Sequence, residues 1–130
     1  MKKICTVLAA LAILVATSCS NSTKEATSVA NDFLSAYFST DYESALRCCT
    51  QDLNEALSVA IQEYYELEEE VQEEIVDISS NVQTAITSVQ NISKDSIKVC
   101  YDVIMPAPDP TIHNTLIVVR TEGGWRVAEI

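Results

Sequence analysis

The sequence predicts an α+β fold in which about three N-terminal helices pack on a curved antiparallel sheet of about four strands. Apolar residues recur at steps of three and four from Ala26 to Ile78, which is the period of an amphipathic helix. From Val82 onward the chain is rich in Val, Ile and Thr and alternates apolar with polar residues, which is the period of a strand. Short polar turns separate these later segments, so neighbouring strands should run antiparallel within one sheet.

The first two helices are predicted from their apolar stripes and from a capping sequence between them. The first should begin at Glu25, and Ser39, Thr40 and Asp41 should end it and start the second, because such side chains accept hydrogen bonds from the free amides of a helix start. The two stripes comprise Ala26, Val29, Ala30, Phe33, Leu34, Tyr37 and Phe38, and then Tyr42, Ala45, Leu46 and Cys49.

The third helix is predicted to be the longest, from about Asp52 to Ser79, after capping residues at Thr50 and Asp52. Most of its acids project away from the apolar stripe and form a solvated face. Glu68 is the exception, because its helical angle places it inside that stripe. Two interpretations stay open at this point. Either the helix breaks or bends at Glu68, or the Glu68 carboxylate points toward the interior.

The strand half begins at Val82 and contains a polar turn at "SKD". In the second predicted strand the odd positions from Ile97 to Met105 should face the helices, whereas Cys100 and Asp102 should face the other way. All three prolines lie in "PAPDP", which predicts a stiff loop before the strand "NTLIVVR". Both glycines lie in one hairpin turn, and Trp125 and Val127 should share one side of the last strand.

The N-terminus has the parts of an export signal: a basic start at Lys2 and Lys3, an apolar core over residues 4–16, and a small-residue cleavage region that ends at Cys19. The core is too short to span a bilayer, which needs about 20 apolar residues. This segment resembles a bacterial lipoprotein signal, with Ala16 where Leu is usual, as in Bacteroidetes-type lipoproteins. The resemblance implies a signal peptide at 1–18, a lipidated tether at 19–24 and a domain at 25–130.

Lipidation of Cys19 would anchor the protein in the cell envelope, and Ser20 after the cysteine favours the outer membrane. A plain secreted protein is the alternative. Loss of Lys2 and Lys3 with the signal would take the net charge from -11 to about -13. Such a chain should repel nucleic acid and anionic lipid. No glycine-rich phosphate loop and no metal-ligand spacing occur in the sequence, so neither a cofactor nor a metal is expected.

Two stretches resemble a nuclear-transport-factor-2-like (NTF2-like) domain, which is also called the cystatin-like or ketosteroid-isomerase-like cone. "VANDFLSAYFSTDYESALRCCT" resembles its two opening helices, and "LIVVRTEGGWRV" resembles its closing hairpin. The resemblance covers about residues 25–130. It implies a fold but not an activity, because this fold hosts both enzymes and binding modules.

Two functions are therefore compared. The first is a lipid-anchored, non-catalytic domain that binds an envelope protein, a peptide or a small apolar ligand. The second is a small-molecule enzyme of the ketosteroid-isomerase-like kind, which would need an interior carboxylate near a tyrosine hydroxyl. The candidate interior residues are Glu68, Tyr101 and Asp102, although the alternation turns Asp102 outward. His113, the single histidine, is interpreted as a surface residue near a strand start.

Cys48, Cys49 and Cys100 would stay in an oxidising compartment once Cys5 is removed and Cys19 is lipidated. Three unpaired thiols are expected, because Cys100 shares its predicted face with Asp102, away from the helices. A disulfide between Cys49 and Cys100 is the alternative, and it would require a bulge that shifts the strand register.

Overall fold

The computed structural model describes residues 22–130, so the predicted signal peptide and Cys19 lie outside the described residues. Helix α1 occupies residues 22–38 of this part of the chain. The remaining helices are α2 (Tyr42–Arg47), α3 (Gln51–Glu66) and α4 (Glu69–Ser80). They are followed by the strands β1 (Gln83–Ser93), β2 (Ser96–Ile104), β3 (Ile112–Thr121) and β4 (Gly124–Glu129). The predicted α+β order of helices followed by four strands is confirmed.

Of the predicted capping residues, Asp41 and Thr50 cap the helices that follow them, whereas Asp52 lies inside the first turn of α3 and is not a cap. Asp41 accepts from the backbone N–H of Ser44 at 3.4 Å at the start of α2. Thr50 accepts from the N–H of Leu53 at 3.4 Å at the start of α3. Each bond satisfies one amide that the helix itself leaves without a partner. Helix α1 already includes Ser22, earlier than the predicted start at Glu25, because its polar first turn is compatible with a helix as well as with a tether.

The predicted single third helix is wrong, and the alternative of a break at Glu68 is confirmed. Leu67 and Glu68 have extended backbone angles between α3 and α4. The Gln72 side-chain amide donates to the carbonyls of Leu67 at 2.9 Å and Tyr65 at 3.2 Å. These two bonds replace part of the backbone hydrogen bonding that is lost at the break. A continuous helix would have placed the Glu68 carboxylate among apolar side chains at a desolvation cost. The break leaves Glu68 exposed instead.

The four strands form one antiparallel sheet in the order β1-β2-β3-β4. Tyr101 on β2 lies opposite Ile86 on β1 and Asn114 on β3. The predicted alternation is confirmed, since Tyr101 is buried while Cys100 and Asp102 are only half-buried on the other face. Register shifts in β1 and between β3 and β4 bend the sheet locally.

One apolar core lies between the helices and the inner face of the sheet. The side chains least accessible to solvent are Phe33 and Leu34 from α1, Val99 from β2, Leu116 and Val118 from β3, and Val127 from β4. The outer face of β2 is half-buried, and most of β1 is exposed. Within residues 22–130, no helix is long and apolar enough to cross a membrane.

Candidate functional site

The interior of the cone is filled by apolar side chains. Its wall on the sheet carries Val99, Tyr101, Leu116 and Trp125, and the helices close over it with Phe33, Leu34, Leu53, Leu57 and Ile61. Among the described residues, no polar or charged residue is fully buried apart from the tyrosine and cysteine side chains of this core. The interior therefore lacks the charged group that proton transfer from carbon would require.

The two carboxylates considered as interior acids both lie outside the cone. Glu68 is exposed at the N-terminus of α4, so the interpretation of Glu68 as an interior acid is wrong. Asp102 lies on the outer face of the sheet, where its Oδ1 is 2.5 Å from Nδ1 of His113 on β3. His113 is exposed there, as predicted. The sheet separates this Asp–His pair from Tyr101, because neighbouring residues of a strand project to opposite faces.

Tyr101 is the one candidate pocket residue that faces the interior. Burial raises the pKa of its phenol, the neighbouring Tyr37 raises it further, and the Asn114 side chain opposes the shift through a hydrogen bond. Tyr101 is therefore a neutral phenol across the physiological range. With no carboxylate beside it, it can donate or accept one hydrogen bond but has no acid or base partner.

The three cysteines of the described chain are free, as expected. The alternative disulfide between Cys49 and Cys100 is wrong, because the alternation of β2 keeps Cys100 on the face away from the helices. Cys49 is buried, and its thiol donates to the Ala45 carbonyl at 3.3 Å. Burial, with a smaller contribution from Cys48, raises the pKa of Cys49 to about 11, so this thiol is a poor nucleophile at neutral pH.

Tyrosine and phenylalanine rings of the helices form a contiguous aromatic cluster. Tyr42 lies at its centre, in edge contact with Tyr37 at 5.8 Å and with Tyr64 at 5.1 Å between ring centroids. Burial is the main cause that raises the pKa of Tyr42, with its tyrosine neighbours contributing further. A cavity of about 60 Å³ remains between these rings and Leu57 and Ile61 on α3. This volume suits a water molecule or two rather than an organic ligand.

A larger groove of about 410 Å³ lies where the C-terminal part of α1 meets the end of α4 and the start of β1. We call it the α1–β1 groove. Leu34, Phe38 and Val82 supply its apolar surface. Hydroxyl and amide side chains supply the rest: Ser35, Ser39, Ser79, Ser80, Gln83 and Thr84. None of these residues is charged, although the chain as a whole has a net charge of -11.

The sequence did not predict the α1–β1 groove. Its serines are separated by some forty positions in the chain, and each is interpretable locally as a capping or helix-end residue. The pairing of α1 with the α4–β1 connection depends on where the break at Glu68 directs α4.

Across the described residues, no group of three or more potential His, Cys, Asp or Glu ligands is close enough to hold a metal ion.

Comparison with solved structures identifies the architecture. An NTF-2 like protein of unknown function from Shewanella oneidensis superposes with a TM-score of 0.56 at 14% identity, over 81% of this chain and 93% of that one. The fold is NTF2-like. A candidate NTF2-like transpeptidase from Campylobacter jejuni is also similar, with a TM-score of 0.49 at 16% identity, over 80% of this chain and 97% of that one. No protein-family model and no curated protein matches the sequence.

The helix-first order and the closing hairpin with Trp125 are thus those of an NTF2-like cone, as the sequence resemblance implied. At these identities the similarity establishes the fold alone, and NTF2-like folds carry different functions. The function has to be inferred from this chain's own surfaces.

Proposed function

We propose that this protein is a lipid-anchored, non-catalytic domain of the bacterial cell envelope that binds an uncharged, apolar ligand or peptide segment in the α1–β1 groove. The groove carries the proposal, because it is an uncharged depression on a strongly acidic chain. Its volume of about 410 Å³ lies within the usual range for small-ligand sites. Its apolar floor would hold a hydrocarbon group, and its hydroxyl rim would hydrogen-bond an amide or a carbonyl.

The non-catalytic part of the proposal rests on the surroundings of Tyr101. A ketosteroid-isomerase-like enzyme holds its general base and its oxyanion donor around one substrate atom. Here the only carboxylate adjacent to Tyr101 in sequence, Asp102, is directed to the opposite face and paired with His113. The part of the chain that the structure describes holds no corresponding arrangement to support the alternative function of a small-molecule enzyme.

The anchoring part of the proposal rests on the sequence before residue 22. Cys19 follows an apolar run and small residues in the positions of a lipoprotein signal. Cleavage before Cys19 would leave two residues, Ser20 and Asn21, between the lipidated cysteine and the described part of α1, so the domain would be held close to the bilayer. More than one acyl chain would make this attachment stable. The location proposed is the outer membrane.

Intact mass of the protein purified from its native membrane tests the anchor. A mass equal to residues 19–130 plus acyl chains is expected, and the Cys19→Ala variant should lack that species. A wild-type mass without lipid would overturn the anchoring proposal and would indicate a secreted protein instead.

Binding of the neutral fluorophore N-phenyl-1-naphthylamine tests the groove. Ser35 is exposed on the groove wall, so Ser35→Trp should fill the groove without disturbing the core. We expect saturable fluorescence enhancement with the wild-type chain and loss of most of it in Ser35→Trp. Gln62→Trp, at an exposed position of α3 outside the groove, is the matched control and should bind as the wild type does. Equal binding by both variants would reject the groove as the site.

A further inference from the structure

Helix α4 has the apolar periodicity of a packed amphipathic helix, but its apolar side chains are not buried. None of its twelve residues is buried. Val71 and Ile78 keep 38% and 53% of their surface exposed, and Ile75 is half-buried. At 100° per residue these three side chains fall within an arc of about 60°, so they form one stripe. We call Val71, Ile75 and Ile78 the α4 stripe. A solvated apolar stripe of this kind is typical of a surface that another helix covers.

The acids of α4 lie beside this stripe rather than within it. Glu70 and Glu74 lie along one edge of it, and Glu69, Glu73 and Asp77 continue the acidic face around the helix. None of these carboxylates takes part in an ion pair with another described residue. From Cys48 to Ser93 the chain contains no Lys, Arg or His. Within residues 22–130, the charge on α4 therefore has no cationic counterpart.

The charge distinguishes the possible occupants of the stripe. A second copy of the chain would bring the same acidic helix against this one, and the like charges would repel. An anionic bilayer would be repelled for the same reason. A helix with apolar residues on one side and Lys or Arg beside them would cover the stripe and neutralise Glu70 and Glu74 together.

We propose that the α4 stripe is a docking surface for a cationic amphipathic helix of another protein. The inference rests on the proposed binding role of the domain but uses a surface distinct from the α1–β1 groove. Helix α4 is about 18 Å long, so the partner would present about three helical turns. Aliphatic side chains of the partner would bury the stripe, and its cations would fix orientation and partner choice.

The probe is a fluorescein-labelled helical peptide of about 18 residues in which Leu occupies one face and Lys the other. Its binding to the full chain in phosphatidylcholine nanodiscs is followed by anisotropy, with empty nanodiscs as the blank. We expect affinity to fall about tenfold or more in the Val71→Ser/Ile78→Ser variant. Val59→Ser removes an exposed valine of α3 instead and should leave affinity unchanged. Circular dichroism checks that both variants retain the wild-type helix content.

The contribution of the α4 carboxylates to peptide binding is tested with the same assay. Glu70→Gln/Glu74→Gln should weaken binding several-fold, and raised salt should weaken wild-type binding more than binding by this variant. A peptide with Glu in place of Lys should not bind. Equal binding of the Glu peptide, or unchanged affinity in the stripe variant, would overturn the proposal.

Two other possible occupants of the α4 stripe would give different experimental results. Analytical ultracentrifugation could show that the wild-type chain is a dimer and that Ile78→Ser is a monomer. That result would mean that the α4 stripe binds a second copy of the chain. Preferential binding to phosphatidylglycerol vesicles, lost in the stripe variant, would assign it to a membrane. Either result rejects the proposed partner. The intact mass does not involve α4. Naphthylamine binding involves Ser79 and Ser80 at the end of α4 but none of the stripe residues, so both measurements report separately on the proposed function.

Discussion

Val127 and Cys49 pair as neighbours in a short parallel bridge between the last strand and the connection from α2 to α3. The Val127 N–H donates to the Cys48 carbonyl at 2.7 Å, and the Val127 carbonyl accepts from the Thr50 N–H at 2.8 Å. This bridge covers part of the free edge of β4 and fixes the Cys49 thiol against the core. A strand edge without such cover is open to unwanted pairing with other chains.

The buried Cys49 thiol predicts a loss of stability at alkaline pH. Its pKa is raised from 9.0 to about 11 in the folded state, so the protonated thiol favours folding. This contribution is complete below pH 9 and is lost as the pH rises through about 11. The free energy of unfolding should fall by up to about 2 to 3 kcal/mol over that interval, at 1.36 kcal/mol per pKa unit.

Urea unfolding followed by the fluorescence of the single Trp125 measures this loss. Cys49→Ser keeps a donor for the Ala45 carbonyl but does not titrate in this range, so its pH dependence should be flatter. The raised pKa values of Tyr42 and Tyr101 should cause a further loss above pH 10 in both proteins. Equal slopes between pH 9 and 10 would contradict the role given to Cys49.

Leu116 should be one of the most costly positions at which to truncate a side chain. It is 1% exposed in the centre of the sheet, so Leu116→Ala should lower the free energy of unfolding by about 3 kcal/mol. Val59→Ala is the matched control, since Val59 is 64% exposed on α3, and should change it by less than about 0.5 kcal/mol. Chemical denaturation of the two variants gives both values, and a similar cost at the two sites would refute the assigned core.

Gln72 should hold the corner between α3 and α4. Its side-chain amide donates to two carbonyls that the helix break leaves without helical partners. Gln72→Ala should therefore speed amide hydrogen exchange in α4, while the amides of β2 and β3 keep their wild-type protection. Gln62→Ala, at an exposed site of α3, is the control. Unchanged exchange in α4 would mean that the corner is held by other contacts.

The Asp102–His113 pair should contribute little to stability. It lies at the surface, where the His113 side chain is 78% exposed and solvent screens the interaction. A double-mutant cycle with Asp102→Asn and His113→Ala should give a coupling energy below about 1 kcal/mol. A coupling well above that value would show that the pair is more than an exposed surface contact.

The sequence by itself determined the fold class, the strand alternation and the capping residues at Asp41 and Thr50. These features depend on local periodicity and local hydrogen bonds, which neighbouring residues specify. The alternation also determined that Asp102 and Cys100 face away from the helices, and hence that Cys49 and Cys100 do not pair.

Only the tertiary structure decided where the long third helix divides and which surface each of its two parts contacts. The pattern allowed either a break or an interior carboxylate at Glu68, because both satisfy the same periodicity. The break turns α4 away from the core, so Val71 and Ile78 are exposed although they continue the apolar period of the predicted third helix. It also brings Ser79 and Ser80 beside α1 and creates the groove. Periodicity reports which residues share a face, whereas burial depends on what packs against that face.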